Sequence, residues 1–141
     1  MSDLEKAEMY AHDIIGNLNA GTCASIDWNL LLDEHGGPNH VGNFCEAPVM
    51  AAPGGGLEKK GSYYYMGQIS RYIRPGAVRI GLSRFSATVE ATAFENTDGS
   101  IAVVLLNRGN SGTDIRIRLS PDEYIPAELD AHGIATILIG R

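Results

Sequence analysis

The sequence has little positive charge and no long apolar run. Eleven lysines and arginines stand against 17 aspartates and glutamates, which gives a formal net charge of -6 at pH 7. Nucleic acids and anionic membranes bind proteins through basic clusters, so this balance argues against both as partners and favours a neutral ligand. No apolar run reaches the roughly 18 residues of a membrane span. The acidic amphipathic start, MSDLEKAEMYAHDII, lacks the regions of a signal peptide, and we expect the chain to be soluble.

Cysteine is also scarce. Cys23 and Cys45 match neither a disulfide framework nor a zinc-binding spacing, and we expect both to be free thiols in packed positions. Two histidines, His35 and His40, lie beside carboxylates, but a Gly/Pro-rich segment lacks the helical i, i+4 spacing that aims ligands at one metal. The sequence therefore predicts no metal site and no cofactor.

The first half of the chain has the pattern helix, strand, long loop, helix. Apolar positions recur with helical spacing over residues 4–18. TCASIDWNLLL, residues 22–32, is apolar on both faces, as in a strand covered by helices. A second helix is predicted from an N-cap at Ser62 to Arg74-Pro75-Gly76.

After residue 76 the pattern changes to short alternating strands. TVEATAF and IAVVLLN flank ENTDGS, whose Asp98-Gly99 pair predicts a hairpin because a tight turn needs positive φ. TDIRIRL, residues 113–119, places isoleucine and leucine inward and arginine outward, and GIATILI predicts a last strand. These features indicate a structural antiparallel β-sandwich without an exposed aromatic platform.

Asp27 and Trp28 are neighbours on the predicted first strand, so their side chains point to opposite faces. One reading makes Trp28 a core residue and Asp27 a capping or salt-bridging group. The other starts from the long loop over residues 33–61, because α/β barrels build their sites on loops at strand carboxyl ends. Both readings remain open at this point.

Three strings in the chain resemble a known family. They are D-W-N-L, G-G-P-N followed by N-F, and D-G-S leading into V-V-L-L-N-R, and they occur in order over nearly the whole chain. They resemble the C-terminal portion of glycoside hydrolase family 30, the glucosylceramidase-like retaining β-glycosidases. The resemblance implies an α/β plus all-β fold. Residues 1–76 would be the C-terminal segment of a (β/α)8 barrel, and residues 77–141 a β-sandwich domain.

The resemblance also implies that the catalytic groups lie outside this chain. The family uses two glutamates on earlier barrel strands, about 5 Å apart as retention requires. No glutamate of the first half of this chain matches those positions. The glutamates considered are Glu5, Glu8, Glu34 and Glu46. We therefore expect a fragment of a β-glycosidase that is inactive alone.

Carried over by position, Trp28 matches a tryptophan that stacks on the sugar ring. Asn43 matches an asparagine that hydrogen-bonds near the sugar, and Phe44 is its packing neighbour. Asp27 would orient other groups without touching the sugar. His40 departs from the family, which often has tryptophan there, so the aglycone side of the pocket is not defined.

The implied partners are a carbohydrate or glycolipid substrate and either the remainder of the barrel or a second copy of the chain. The alternative is a self-contained carbohydrate-binding or protein-interaction module without catalysis. The length of the parent open reading frame separates these two interpretations. Linkage and aglycone stay open, because related subfamilies act on different substrates. Localisation also stays open, because we expect the native N-terminus to lie outside these residues.

Overall fold

The computed structural model describes residues 1–140. Contacts divide the chain into two compact units, unit 1 (Met1–Gly67) and unit 2 (from Gln68 onwards). In chain order the elements are α1 (Asp3–Asn19), β1 (Leu31–Leu32), β2 (Val49–Ala51), β3 (Leu57–Lys59), α2 (Gly61–Ser70), β4 (Val78–Arg79), β5 (Val89–Glu95), β6 (Ile101–Asn107), β7 (Thr113–Ser120), β8 (Glu123–Leu129) and β9 (Ile134–Ile139). Within the described residues, neither helix is long and apolar enough to cross a membrane.

Helix α1 agrees with the predicted helix over residues 4–18. It begins with a capping box, in which the Ser2 side chain accepts from the Glu5 amide and the Glu5 carboxylate accepts from the Ser2 amide. These bonds satisfy amides that the first helical turn leaves without partners. One apolar face is buried, as the helical spacing predicts; its residues are Ala7, Ala11, Ile14 and Ile15.

The predicted first strand is much shorter than its apolar pattern suggests. Only Leu31 and Leu32 form β1, which pairs in parallel with β2, while β2 pairs antiparallel with β3. Residues 23–28, expected to be buried, are exposed. A strand needs a hydrogen-bonded neighbour, and β1 lies at the edge of a three-stranded sheet whose other two strands are each three residues long. The prediction of a strand over residues 22–32 was therefore wrong in its length, since only two of these residues form a strand.

Helix α2 begins at Gly61, one residue before the predicted N-cap, so Ser62 lies within the helix, where it is buried. The amide of Gly61 donates to the Asp3 carboxylate at 2.8 Å. A carboxylate from α1 thus satisfies an amide at the start of α2, a role that the sequence had assigned to Ser62. The helix ends at Ser70, before the predicted stop at Pro75.

Unit 2 contains a four-stranded antiparallel sheet of order β4-β5-β6-β9 and a separate antiparallel pair, β7-β8. The predicted hairpin is confirmed: β5 and β6 pair over seven residues, and Gly99 in the turn has a φ of 82°. Strands β7 and β9 agree with the predicted segments. Strand β8 was not predicted, because Pro126 lies at its middle and proline cannot donate to a strand ladder.

The core of unit 2 joins residues of both sheets. Its fully buried members are Val89, Ala93, Val103, Leu105 and Leu129, with partly buried isoleucines of β7 and β9 packed against them. Residues of both sheets and of segment 80–86 also line an open cleft of about 1290 Å³. The outer residues of β7 are exposed, as the alternation predicted.

Candidate functional site

Trp28 lies in the exposed segment that leads into β1. Its side chain is 86% exposed, and Ile26 two positions earlier is 94% exposed. Tryptophan offers a large apolar area together with an N–H donor, which makes it suited to contacts with ligands that have apolar and polar faces. Within residues 1–140, Trp28 is therefore not a core residue.

Asp27 is tied to its own backbone neighbour and lies near helix α1. Its Oδ1 accepts the Trp28 amide at 2.8 Å, and the Tyr10 hydroxyl reaches the same oxygen at 3.5 Å. Burial raises the pKa of Tyr10, and the Asp27 carboxylate raises that pKa further. The Asp27 carboxylate is therefore bonded to the backbone at Trp28.

The loop after β1 begins with a turn closed by Asp33. The Asp33 amide donates to the Gly37 carbonyl at 2.7 Å, and Asp33 Oδ1 accepts the amides of Gly37 at 2.8 Å and His35 at 2.9 Å. These two bonds to the charged form lower the pKa of the Asp33 carboxyl.

Asn39 crosses the same loop. Its Nδ2 donates to the Asn43 carbonyl at 2.6 Å and to the Gly36 carbonyl at 3.3 Å. The Cys45 amide also donates to the Gly36 carbonyl, at 3.4 Å. The chain at residue 36 is therefore joined to residues 43–45.

Asn43 and Phe44, the other two predicted site residues, lie on this loop. Both are exposed, Phe44 by 66%, and Asn43 Nδ2 points at the Cys45 sulfur at 3.4 Å. Among residues 1–140, no hydrogen bond or ring contact joins Asn43 or Phe44 to Asp27 or Trp28. The predicted site residues therefore form two exposed groups, one before β1 and one after it along the chain.

The acidic and thiol groups of unit 1 have local partners or are exposed. Glu46 forms an ion pair with Lys6, and Glu34 lies 3.5 Å from His35. Within residues 1–140, no three His, Cys, Asp or Glu side chains are grouped so that they could hold a metal ion. Cys23 is free but exposed, so its predicted packed position was wrong.

No role was assigned from the sequence to the two side chains that hold this loop together, Asp33 and Asn39. A signal for both was present in the sequence. Asp and Asn in Gly/Pro-rich segments commonly bond the backbone a few residues away. The pairing of Asn39 with the carbonyl of Asn43 depends on how the loop folds back, which spacing alone does not fix.

Two family models match the chain in succession. Residues 1–73 match the glycosyl hydrolase family 30 TIM-barrel domain, and residues 76–137 match the glycosyl hydrolase family 30 beta sandwich domain. The predicted fold class is confirmed: the chain is the C-terminal part of a (β/α)8 barrel followed by an antiparallel β-sandwich.

Known relatives have glucosylceramidase names. Lysosomal acid glucosylceramidase of Mus musculus is 36% identical over 121 residues, which are 84% of this chain and 23% of that protein. Putative glucosylceramidase 1 of Caenorhabditis elegans is 39% identical over 109 residues, 75% of this chain and 21% of that protein. The chain thus spans about a fifth to a quarter of the length of the curated relatives it matches.

A solved structure matches nearly the whole chain. SrfJ from Salmonella typhimurium has a TM-score of 0.94 and 38% sequence identity, and the match covers 99% of this chain and 32% of that one. A fold match of this extent agrees with the order of both family models along the sequence. The chain belongs to glycosyl hydrolase family 30.

Proposed function

We propose that this chain is the C-terminal part of a retaining β-glycosidase that hydrolyses β-glucosyl-type bonds in a carbohydrate or glycolipid. In that role residues 1–76 complete the barrel and residues 77–141 form the sandwich domain. Trp28 and Asn43 contact the sugar, Asp27 orients the segment that carries Trp28, and Phe44 packs beside Asn43. The observation that carries the proposal is the 86% exposed indole of Trp28 beside the first strand of a barrel segment.

An exposed tryptophan suits sugar binding for a physical reason. A β-glucosyl ring has an apolar face of C–H groups and a rim of hydroxyls, so a flat indole covers the face and leaves the rim for hydrogen bonds. Asn43 carries both a donor and an acceptor for such a rim. Its bond to the weak acceptor Cys45 Sγ leaves the amide available for exchange with a ligand hydroxyl.

The catalytic glutamates are proposed to lie outside these residues. Retaining hydrolysis needs one carboxylate as nucleophile and a second as acid/base, held about 5 Å apart. Glu46 is held by the Lys6 ammonium and Glu34 lies on an exposed loop beside His35. The 141 residues alone are therefore expected to show no turnover.

The test replaces Trp28 in the complete enzyme and measures kcat/KM on an aryl β-glucoside. Trp28→Ala should lower kcat/KM about fivefold or more, because a stacking contact is worth about 1 kcal/mol. Trp28→Phe should retain most of kcat/KM, since phenylalanine keeps an aromatic face. Ile26→Ala is the matched control, because Ile26 is equally exposed here but has no ring.

The opposite result identifies a packing role. If Trp28→Ala and Ile26→Ala lower the melting temperature equally and both keep full kcat/KM, then Trp28 packs in the completed barrel and does not contact the sugar. A complete enzyme with no β-glycosidase activity at all would overturn the proposed function itself.

A further inference from the structure

The loop of residues 33–45 has internal supports that the proposed sugar contacts do not include. Asp33 closes its first turn through two amides, those of His35 and Gly37. Asn39 spans its width by donating to two carbonyls, those of Gly36 and Asn43. Both supports use side chains of the loop and no other element.

The Asn39 side chain is fully used as a donor. An asparagine amide has two N–H groups, and Nδ2 of Asn39 has two carbonyl partners, one on each limb of the loop. The carbonyl of Asn43 belongs to the residue whose side chain is proposed to contact the sugar. The bond at 2.6 Å therefore fixes the backbone from which that side chain projects.

The two limbs of the loop also approach each other closely. Gly36 is buried with a φ of 74°, and a Cβ at this position would lie 2.5 Å from the Cys45 carbonyl oxygen and 3.0 Å from Phe44 Cδ2. Only glycine fits both the conformation and the space. The two limbs of the loop are therefore in close contact beside Phe44, and the Asn39 side chain bonds the backbone of both limbs.

We propose that Asn39, supported by Asp33, is a positioning residue that holds Asn43 and Phe44 in place for the bound sugar. This inference rests on the proposed function, because it assigns the loop to the same sugar site. Asn39 acts through the backbone at Asn43 and does not itself touch the ligand.

The first experiment measures amide hydrogen exchange by NMR in the full-length protein that contains these residues. Asn39→Asp keeps the size of the side chain but loses both donors and faces two carbonyl oxygens with a carboxylate. The Cys45 amide, which bonds Gly36 across the gap, should exchange about tenfold faster. Asn39→Ala removes the donors without adding charge and should show the same change. Asn17→Asp, on the exposed face of α1, is the matched control and should leave the Cys45 amide unchanged.

The second experiment measures steady-state kinetics of the same variants on an aryl β-glucoside. Asn39→Asp and Asn39→Ala should lower kcat/KM about tenfold, because small displacements of positioning groups are costly. The loss should appear mainly in KM, since binding groups and not the catalytic glutamates are displaced. Asp33→Ala should act in the same direction with a smaller effect, and Asn17→Asp should keep wild-type values.

The outcomes separate this inference from the proposed function. Unchanged exchange at Cys45 in both Asn39 variants overturns the inference, even in an active enzyme. Faster exchange with unchanged KM also overturns it, because the loop would then not serve the sugar. A wild-type protein without glycosidase activity removes the proposed function and the sugar role together, whereas faster exchange would still show that Asn39 closes the loop.

Discussion

At the scale of single residues, the side chain of Asn107 organises one end of unit 2. It is 1% exposed and makes three hydrogen bonds. Its Oδ1 accepts the Gly109 amide, and its Nδ2 donates to the carbonyls of Ser111 and Asp130, all at 2.9 Å. One buried amide thus joins the turn after β6 to the connection between β8 and β9. Buried polar groups that lose such partners are costly, so this position should be sensitive.

Asn107→Ala should lower the free energy of unfolding by about 2–3 kcal/mol, because it removes three hydrogen bonds made by a side chain that is 1% exposed. Asn107→Asp should be at least as harmful, since a carboxylate would face two carbonyl oxygens. Urea denaturation measures both. Asn110→Ala, in the same turn but exposed, is the control and should cost less than about 1 kcal/mol. Equal losses at the two positions would contradict the role given to Asn107.

Asp98 in the β5–β6 turn gives a prediction about pH. Its Oδ1 accepts the Ser100 hydroxyl at 2.6 Å and the Ser100 amide at 2.9 Å, and these bonds lower the pKa of Asp98 from its ordinary value of 3.8. Because the pKa of Asp98 is lower in the folded state than in the unfolded state, its carboxylate stabilises the fold at pH values above the unfolded-state pKa. That contribution is lost as the pH falls through the folded value.

The difference in unfolding free energy between wild type and Asp98→Asn should therefore be constant above about pH 5 and shrink as the pH falls below 3.8. Ser100→Ala removes the hydroxyl bond and keeps the amide, so NMR titration should place the Asp98 pKa between the wild-type and ordinary values. A difference that does not change with pH would show that the carboxylate is not bonded as described.

At the scale of elements, local chemistry explains what the sequence predicted. The β5–β6 hairpin was predictable because Asp98-Gly99 dictates the turn and the flanking strands carry a continuous β pattern. Helix α1 was predictable because its apolar spacing and its N-terminal cap are both local.

The elements that were missed depend on distant partners. The start of α2 is set by Asp3, 58 residues away, which no local capping pattern reveals. Strand β8 exists because β7 lies beside it, with Arg116 opposite Pro126. Strand β1 is short because its extent is decided by neighbouring strands, and β2 is the neighbour that these residues supply. The candidate site shows the same difference between local and distant information. Trp28 and Asn43 could be named from short motifs that resemble the family, whereas the role proposed for Asn39 could be recognised only from its hydrogen bonds in the folded loop.

At the scale of the whole molecule, the chain is a minor part of what its relatives contain. It spans 20–23% of the curated relatives and 32% of the SrfJ structure. Several large apolar side chains outside the proposed sugar contacts are exposed here, in unit 1 and in unit 2. They include Ile26 at 94%, Leu30 at 71% and Phe85 at 100%. Apolar exposure on this scale marks surfaces that bind another part of the protein or another chain.

We therefore expect the isolated 141-residue chain to self-associate. The segment before β1 exposes the large apolar side chains of Ile26 and Leu30, and β1 lies at the edge of its sheet, which favours pairing with a second copy when the rest of a barrel is missing. Sedimentation equilibrium at micromolar concentration should show mass above 15.1 kDa. The double variant Ile26→Ser and Leu30→Ser should shift the distribution toward monomer, because both replaced side chains lie in that segment. Phe85→Ser tests whether the exposed apolar surface of unit 2 also contributes to the association. A monodisperse species of 15.1 kDa that unfolds cooperatively would contradict this expectation and make a self-contained binding module the better interpretation of the chain.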